Sequence, residues 1–274
     1  MFRMDSYLES NRRLWNEFAA IHAGSELYQL AEFKQGKNKL NPLEREEVGD
    51  VRGRKLLHLQ CHFGMDTLSW AQLGAEVTGV DFSDTAIQMA QELSKEVNLP
   101  GRFVCSTIEN LPDHLGEESS FDIVFTSYGV ITWLPTLKKW AEVIHHYLKP
   151  GGIFYIAEFH PFAMVFDDTA GVTDWQIGYP YFNKDVMRFD VEGSYADRNA
   201  KVETKISYEW QHTLGEVISE LAATGLHLEY LHEFPYTVYR MFDFTSPCED
   251  GYWRPPENLK PMPLIFSMRW HKPA

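Results

Sequence analysis

Long apolar runs are missing from this 274-residue chain, and none approaches the roughly 20 residues that a membrane-spanning helix needs. Basic clusters are missing too. No run of Lys or Arg exceeds a dipeptide, and 25 basic against 39 acidic side chains leave a net charge of −14. A surface of that sign repels phosphate backbones and argues against long nucleic acids as partners. Cysteine is scarce: Cys61, Cys105 and Cys248 are odd in number, widely spaced and without a Cys-x-x-Cys pair, so no disulfide framework or structural zinc site is expected. Residues 1–10 carry Arg3, Asp5 and Glu9 and lack the apolar stretch of a secretory leader. These absences lead to the expectation of a cytoplasmic protein, monomeric or homodimeric, with no nucleic-acid and no membrane partner.

What is present is enough apolar material for a core, 44% of residues against 23% charged, which excludes disorder as the main state. Residues 5–23 read as a helix with Leu8, Trp15, Phe18 and His22 near one stripe, and 34–54 as a polar, turn-rich loop or broken helix. From Lys55 short apolar runs alternate with helical patterns. Strands are expected at Lys55–Gln60, Glu76–Val80, Gly101–Cys105, Asp122–Thr126 and Gly152–Ala157, with helices at 66–73, 84–97 and 136–148. Beyond Phe162 the alternation stops, and 163–211 is rich in aromatics, Gly and Asp, with strand-like alternation over Val202–Tyr208. A helix over Thr213–Thr224, a strand over Leu226–Leu231 and a final strand near Leu264–Trp270 complete the pattern. The expected organisation is an N-terminal helical cap at 1–54, a core at 55–162 and 212–274, and an insertion at 163–211 that serves as a lid or cleft wall.

In an open parallel sheet ligands bind beyond the carboxyl ends of the strands, so the strand-end residues carry the information. The first end reads Leu57-His58-Leu59-Gln60-Cys61-His62-Phe63-Gly64, and the second Val77-Thr78-Gly79-Val80-Asp81-Phe82-Ser83. Ser83 is placed to cap the next helix. Asp81, at the tip of an apolar strand, is either an acceptor for both hydroxyls of a ribose or a solvated loop acid. With Phe121-Asp122-Ile123-Val124-Phe125 and Leu148-Lys149-Pro150-Gly151-Gly152, these pieces resemble the class I S-adenosylmethionine-dependent methyltransferases over about residues 50–160. The resemblance implies a Rossmann-like α/β fold: a seven-stranded, mostly parallel sheet with helices on both faces, its last strand antiparallel and an inserted segment after the fifth. It also implies S-adenosylmethionine as cofactor, a small-molecule methyl acceptor, and binding of the cofactor by Gln60, His62, Gly64, Asp81, Phe82, Thr107, Ile108 and Ser127.

The chain departs from the family where acid-x-Gly-x-Gly-x-Gly becomes His58, Gln60, His62 and Gly64, keeping only the last glycine. Gln60 and His62 must point away from the cofactor or replace backbone contacts with side-chain ones. Thr107 stands where the family often has an Asp, followed by Ile108. A nicotinamide cofactor would need those glycines for its pyrophosphate, so an oxidoreductase is the weaker alternative, beside a protein that binds S-adenosylmethionine or S-adenosylhomocysteine without catalysis. His160, after the fifth strand, and Tyr128, after the fourth, are the expected catalytic residues, His160 as a general base or orienting group. The rival readings are a hydrogen-bonded structural His and core aromatics at Tyr128 and Trp133. His58, Cys61 and His62 lack a fourth ligand, so no metal is expected.

Overall fold

The computed structural model describes residues 2–274. The chain opens with α1 (Phe2–Gly24), followed by α2 (Leu30–Lys34) and α3 (Pro42–Val48). The alternating core is β1 (Lys55–Leu59), α4 (Met65–Gln72), β2 (Glu76–Asp81), α5 (Asp84–Glu96), β3 (Gly101–Cys105), α6 (Leu111–His114), β4 (Phe121–Ser127), α7 (Leu137–Tyr147) and β5 (Leu148–Phe159). A hairpin of β6 (Met187–Asp190) and β7 (Ile206–Glu209) precedes α8 (Leu214–Ala223), β8 (His227–Phe234), the short pair β9 (Ser246–Pro247) and β10 (Trp253–Arg254), and β11 (Ile265–His271).

Seven strands form one sheet in the order β3-β2-β1-β4-β5-β11-β8. All run parallel except β11, which is antiparallel to both β5 and β8. The expected seven-stranded sheet with an antiparallel last strand is therefore what the chain builds. Order reverses between β1 and β4, the place where an open α/β sheet leaves a crevice beyond its strand ends. β1, β4 and β5 read as near-continuous apolar runs because both faces are covered. One face packs under α7 and α8 through Trp140, Ile144, Leu221 and Trp270, and the other under α4 and α5 through Trp70, Leu68, Ala90 and Phe103.

Ser83 caps α5 as expected. Ser83 Oγ accepts from the Ala86 N–H at 3.0 Å, and Thr213 with Glu216 forms a reciprocal capping box. The strand expected at Leu226–Leu231 begins one residue later and runs on to Phe234, because it pairs along nearly the whole of β11. The stretch 34–54 contains a true helix, α3, with Pro42 in its first turn.

Two segments outside the βα pattern meet over the strand ends. On α1, Leu14 and Phe18 are buried against Val202, and Asn11 clamps the edge of β7: its amide donates to Tyr208 O at 2.6 Å and its carbonyl accepts from Tyr208 N at 2.9 Å. Glu17 accepts from the Glu203 and Thr204 N–H groups and from the Thr204 hydroxyl at 2.6 Å. Asn16 accepts from Ser83 Oγ at 2.6 Å and donates to Asp84, which ties α1 to the start of α5.

Candidate active site

The loop after β1 keeps the backbone of a glycine-rich turn without its glycines. Gln60, His62 and Gly64 all have positive φ, at 59°, 52° and 80°. For a side-chain-bearing residue that conformation costs on the order of 1 kcal/mol, so the surroundings must hold it. They do. The Gln60 amide donates to Val130 O at 2.8 Å, the His62 N–H donates to Asp81 at 2.8 Å, and His62 Nε2 lies 3.0 Å from His22 Nδ1 of α1. Gly64 has no such freedom to change. A Cβ there would stand 2.7 Å from the Phe103 ring and 2.9 Å from the Ala90 methyl.

Asp81 closes β2 and is buried, with its two oxygens accepting from His62 N and from Ser83 N at 2.9 Å. Burial pushes its carboxyl up to about 6, against the pull of the backbone N–H donors. His22 and His62 are both held well below the usual imidazole range by burial, so the pair is neutral near pH 7.

After β4 the chain turns through Tyr128 and Gly129, both at positive φ, into a 3-10 turn at Ile131–Trp133. A buried carboxylate organises this turn. Glu158, near the end of β5, accepts from the N–H groups of Gly129, Val130 (2.8 Å), Ile131 (3.2 Å) and Phe159 (2.6 Å). The Trp133 indole donates back to Gly129 O at 2.8 Å.

These loops open into a cavity of about 370 Å³ over the ends of β1, β2 and β4. That volume suits one drug-sized ligand. A smaller cavity joins it, sharing Gln60, Asp81, Phe82 and Trp133 and lined further by Thr107 and Ile108. Gln60, His62, Gly64, Asp81, Phe82, Ser127 and Tyr128 line the larger cavity, so the expected cofactor residues converge across the two. His160 does not line either. It is buried behind the wall, donating from Nε2 to Glu233 at 2.9 Å and accepting at Nδ1 from Phe162 N at 3.0 Å, so both ring nitrogens serve packing. The buried Tyr128 hydroxyl lies against the Glu44 carboxyl, and burial together with that carboxyl raises it well above its usual range. It is a donor at neutral pH, not a base.

Several lining residues were not singled out from the sequence, although Tyr195 was one of the insertion aromatics expected at the cleft. Trp15 and Tyr28 come from α1 and the turn after it, Met164, Asp168, Tyr195 and Glu209 from the insertion, and Val238, Tyr239 and Met241 from the loop between β8 and β11. Of the aromatics in 163–211, Tyr195 alone reaches the cavity. Phe166, Trp175 and Tyr181 pack with Phe242 and Leu264, Tyr208 stacks on Tyr7, and Phe182 is exposed. Most of the insertion's rings therefore pack away from the cavity, which it meets through Met164, Asp168, Tyr195 and Glu209.

Residues 57–156 match the family model described as a methyltransferase domain. An uncharacterized methyltransferase of Synechocystis sp. is 35% identical over 127 residues, covering 46% of this chain and 56% of that protein. A ubiquinone biosynthesis O-methyltransferase of Alkalilimnicola ehrlichii is 32% identical over 117 residues, 41% of this chain and 46% of that one. The chain thus spans about half the length of the curated relatives it matches. Among solved structures, an S-adenosylmethionine-dependent methyltransferase of Mesorhizobium loti superposes with a TM-score of 0.56 at 19% identity, over 84% of this chain and 96% of that one. One of Clostridium acetobutylicum gives 0.57 at 14% identity, over 85% and 89%. At such identities the likeness is one of fold.

Proposed function

We propose that the protein transfers the methyl group of S-adenosylmethionine to a small organic acceptor, a reading supported by the match of residues 57–156 to a methyltransferase domain. The observation that carries this reading is the loop after β1. It holds the left-handed turn of the family with Gln60 and His62 in place of glycine, and it is locked to the carboxylate of Asp81.

The residues fit the cofactor. Asp81 stands at the strand tip with lone pairs left for the ribose hydroxyls. Phe82 and Ile108 give apolar faces to an adenine in the smaller cavity, beside Thr107. Gln60 Oε1 is a buried polar atom without a partner at the edge of the larger one, which Ser127 also lines. When bound, the sulfonium supplies an already activated methyl group, so the protein's part is alignment and exclusion of water. Trp15, Tyr28 and Tyr195 close the side that faces the strand ends.

A nicotinamide cofactor fits less well. Gln60, Cys61, His62 and Phe63 fill the space a pyrophosphate needs, and among the described residues no Lys or Arg lines the larger cavity. Calorimetric titration tests the choice: S-adenosylhomocysteine is expected to bind in the micromolar range or tighter and NAD not at all. Equal binding of NAD would overturn the reading.

A further inference from the structure

The four carboxylates that line the larger cavity are Asp66, Asp81, Asp168 and Glu209, and no Lys or Arg among the described residues faces them there. They fall into two sets. Asp66 opens α4 after β1 and Asp81 closes β2, both on the sheet side, where Asp81 is given to the cofactor's ribose. Asp168 and Glu209 belong to the insertion, on the facing wall with Tyr195. Glu209, at the end of β7, is held only by long contacts from Thr132 Oγ1 (3.4 Å) and Ser207 Oγ (3.3 Å), which leaves lone pairs for a ligand. Asp168 stands at the solvent-facing rim. His58, only 2% exposed on the same lining, bonds Thr67 through Nδ1 and leaves its Nε2 without a partner.

Resting on the methyltransferase reading above, we propose that the acceptor is an amine carried on an apolar or aromatic body, held as its ammonium by Glu209 and Asp168 and methylated on nitrogen. A carboxylate or phosphate acceptor would enter a cavity with no countercharge and several carboxylates, an unfavourable juxtaposition inside a poorly solvated site. An ammonium is matched twice, by the carboxylates and by the faces of Trp15, Tyr28, Tyr195 and Tyr239, which attract cations through their ring quadrupoles. Glu209 also accounts for the proton. Burial raises its carboxyl to about 7, so it can take a proton from an ammonium near neutral pH. The freed nitrogen pair then forms the new C–N bond while the C–S bond breaks, its electrons stay with the sulfur, and the proton rests on Glu209.

The test is binding to the protein saturated with S-adenosylhomocysteine, which needs no turnover. Three probes share one skeleton: phenethylamine, 2-phenylethanol and 3-phenylpropanoate. The expected result is at least tenfold tighter binding of phenethylamine than of either relative, with that preference lost in Glu209→Gln and reduced in Asp168→Asn. Titration of each variant with S-adenosylhomocysteine first shows that it is folded. If the unmodified protein does not bind S-adenosylhomocysteine, the methyltransferase reading fails. If it does bind, and the alcohol or the acid binds as well as the amine or no amine binds, the amine proposal is overturned while that reading stands.

Discussion

The two sides of the cavity are held in different ways. On the sheet side, loops leaving β1, β2 and β4 are fixed by buried carboxylates that collect backbone N–H groups: Asp81 takes those of His62 and Ser83, and Glu158 those of Gly129, Val130, Ile131 and Phe159. On the facing side, α1, the insertion and the loop between β8 and β11 meet through side-chain clamps and ring contacts such as Asn11 with Tyr208 and Tyr195 with Tyr239. The first arrangement pre-forms a site, because removing one carboxylate orphans several buried donors at once. The second joins pieces that each keep their own packing, so its contacts are separable.

If that contrast is right, the largest effect lies at Glu158. Glu158→Ala leaves the donors of the turn after β4 without an acceptor in a buried setting, and we expect a loss of about 4 kcal/mol in denaturant unfolding, with cofactor affinity falling alongside. A loss under about 1 kcal/mol would show that the turn is held by its packing alone.

Gly64→Ala attacks the same side sterically. The added methyl meets Phe103 and Ala90 at a backbone angle of +80°, and overpacking together with left-handed strain should cost about 3 kcal/mol in the same measurement. A thermal midpoint within a few degrees of the parent would mean that the loop can shift to accommodate it.

Asp81 sharpens the comparison toward ligand binding. Asp81→Ala is expected to weaken S-adenosylhomocysteine by about tenfold to a hundredfold, since charge-assisted hydrogen bonds are worth about 1.5–3 kcal/mol. Its pH behaviour has a definite sign. Burial holds the folded carboxyl near 6 against an ordinary value of 3.8, so the group destabilises the fold progressively as pH rises from about 4 through 6. Ribose hydroxyls need the ionised form, so cofactor affinity should be level above about pH 6 and fall below it. Calorimetry between pH 5 and 8 checks both, and Asp81→Asn should flatten the affinity profile.

The sheet side was also the readable side. Alternating apolar runs announced β1 to β5, and Ser83 and Asp81 were recognisable by position because a strand end and a helix start have fixed chemistry. Glu158 left a signal that went unused: an acid inside the apolar run Ile156-Ala157-Glu158-Phe159 has to find donors. His160 was expected in the cleft, yet two residues beyond Glu158 the chain turns outward and its ring is taken by Glu233 and Phe162. The facing side was opaque for a physical reason. Trp15, Tyr28, Tyr195, Glu209 and Tyr239 are brought together only by tertiary docking, and nothing local separates Tyr195, which reaches the cavity, from Tyr208, which stacks on Tyr7.

The smallest effect is expected at the clamp between α1 and the insertion. Glu17 accepts from Glu203 N, Thr204 N and Thr204 Oγ1 through both carboxylate oxygens, at a half-buried position. Glu17→Gln keeps one oxygen and turns the other into a donor that faces donors. The loss should be about 1 kcal/mol, less than for Glu158 because water can reach the freed groups. If the facing side is separable, this loss stays local: affinity for S-adenosylhomocysteine remains within about twofold, while limited proteolysis and amide exchange over 190–206 speed up. A matching fall in cofactor affinity would instead show that the docked wall helps to hold the loop after β1, through the His22–His62 contact, and that the two sides act as one unit.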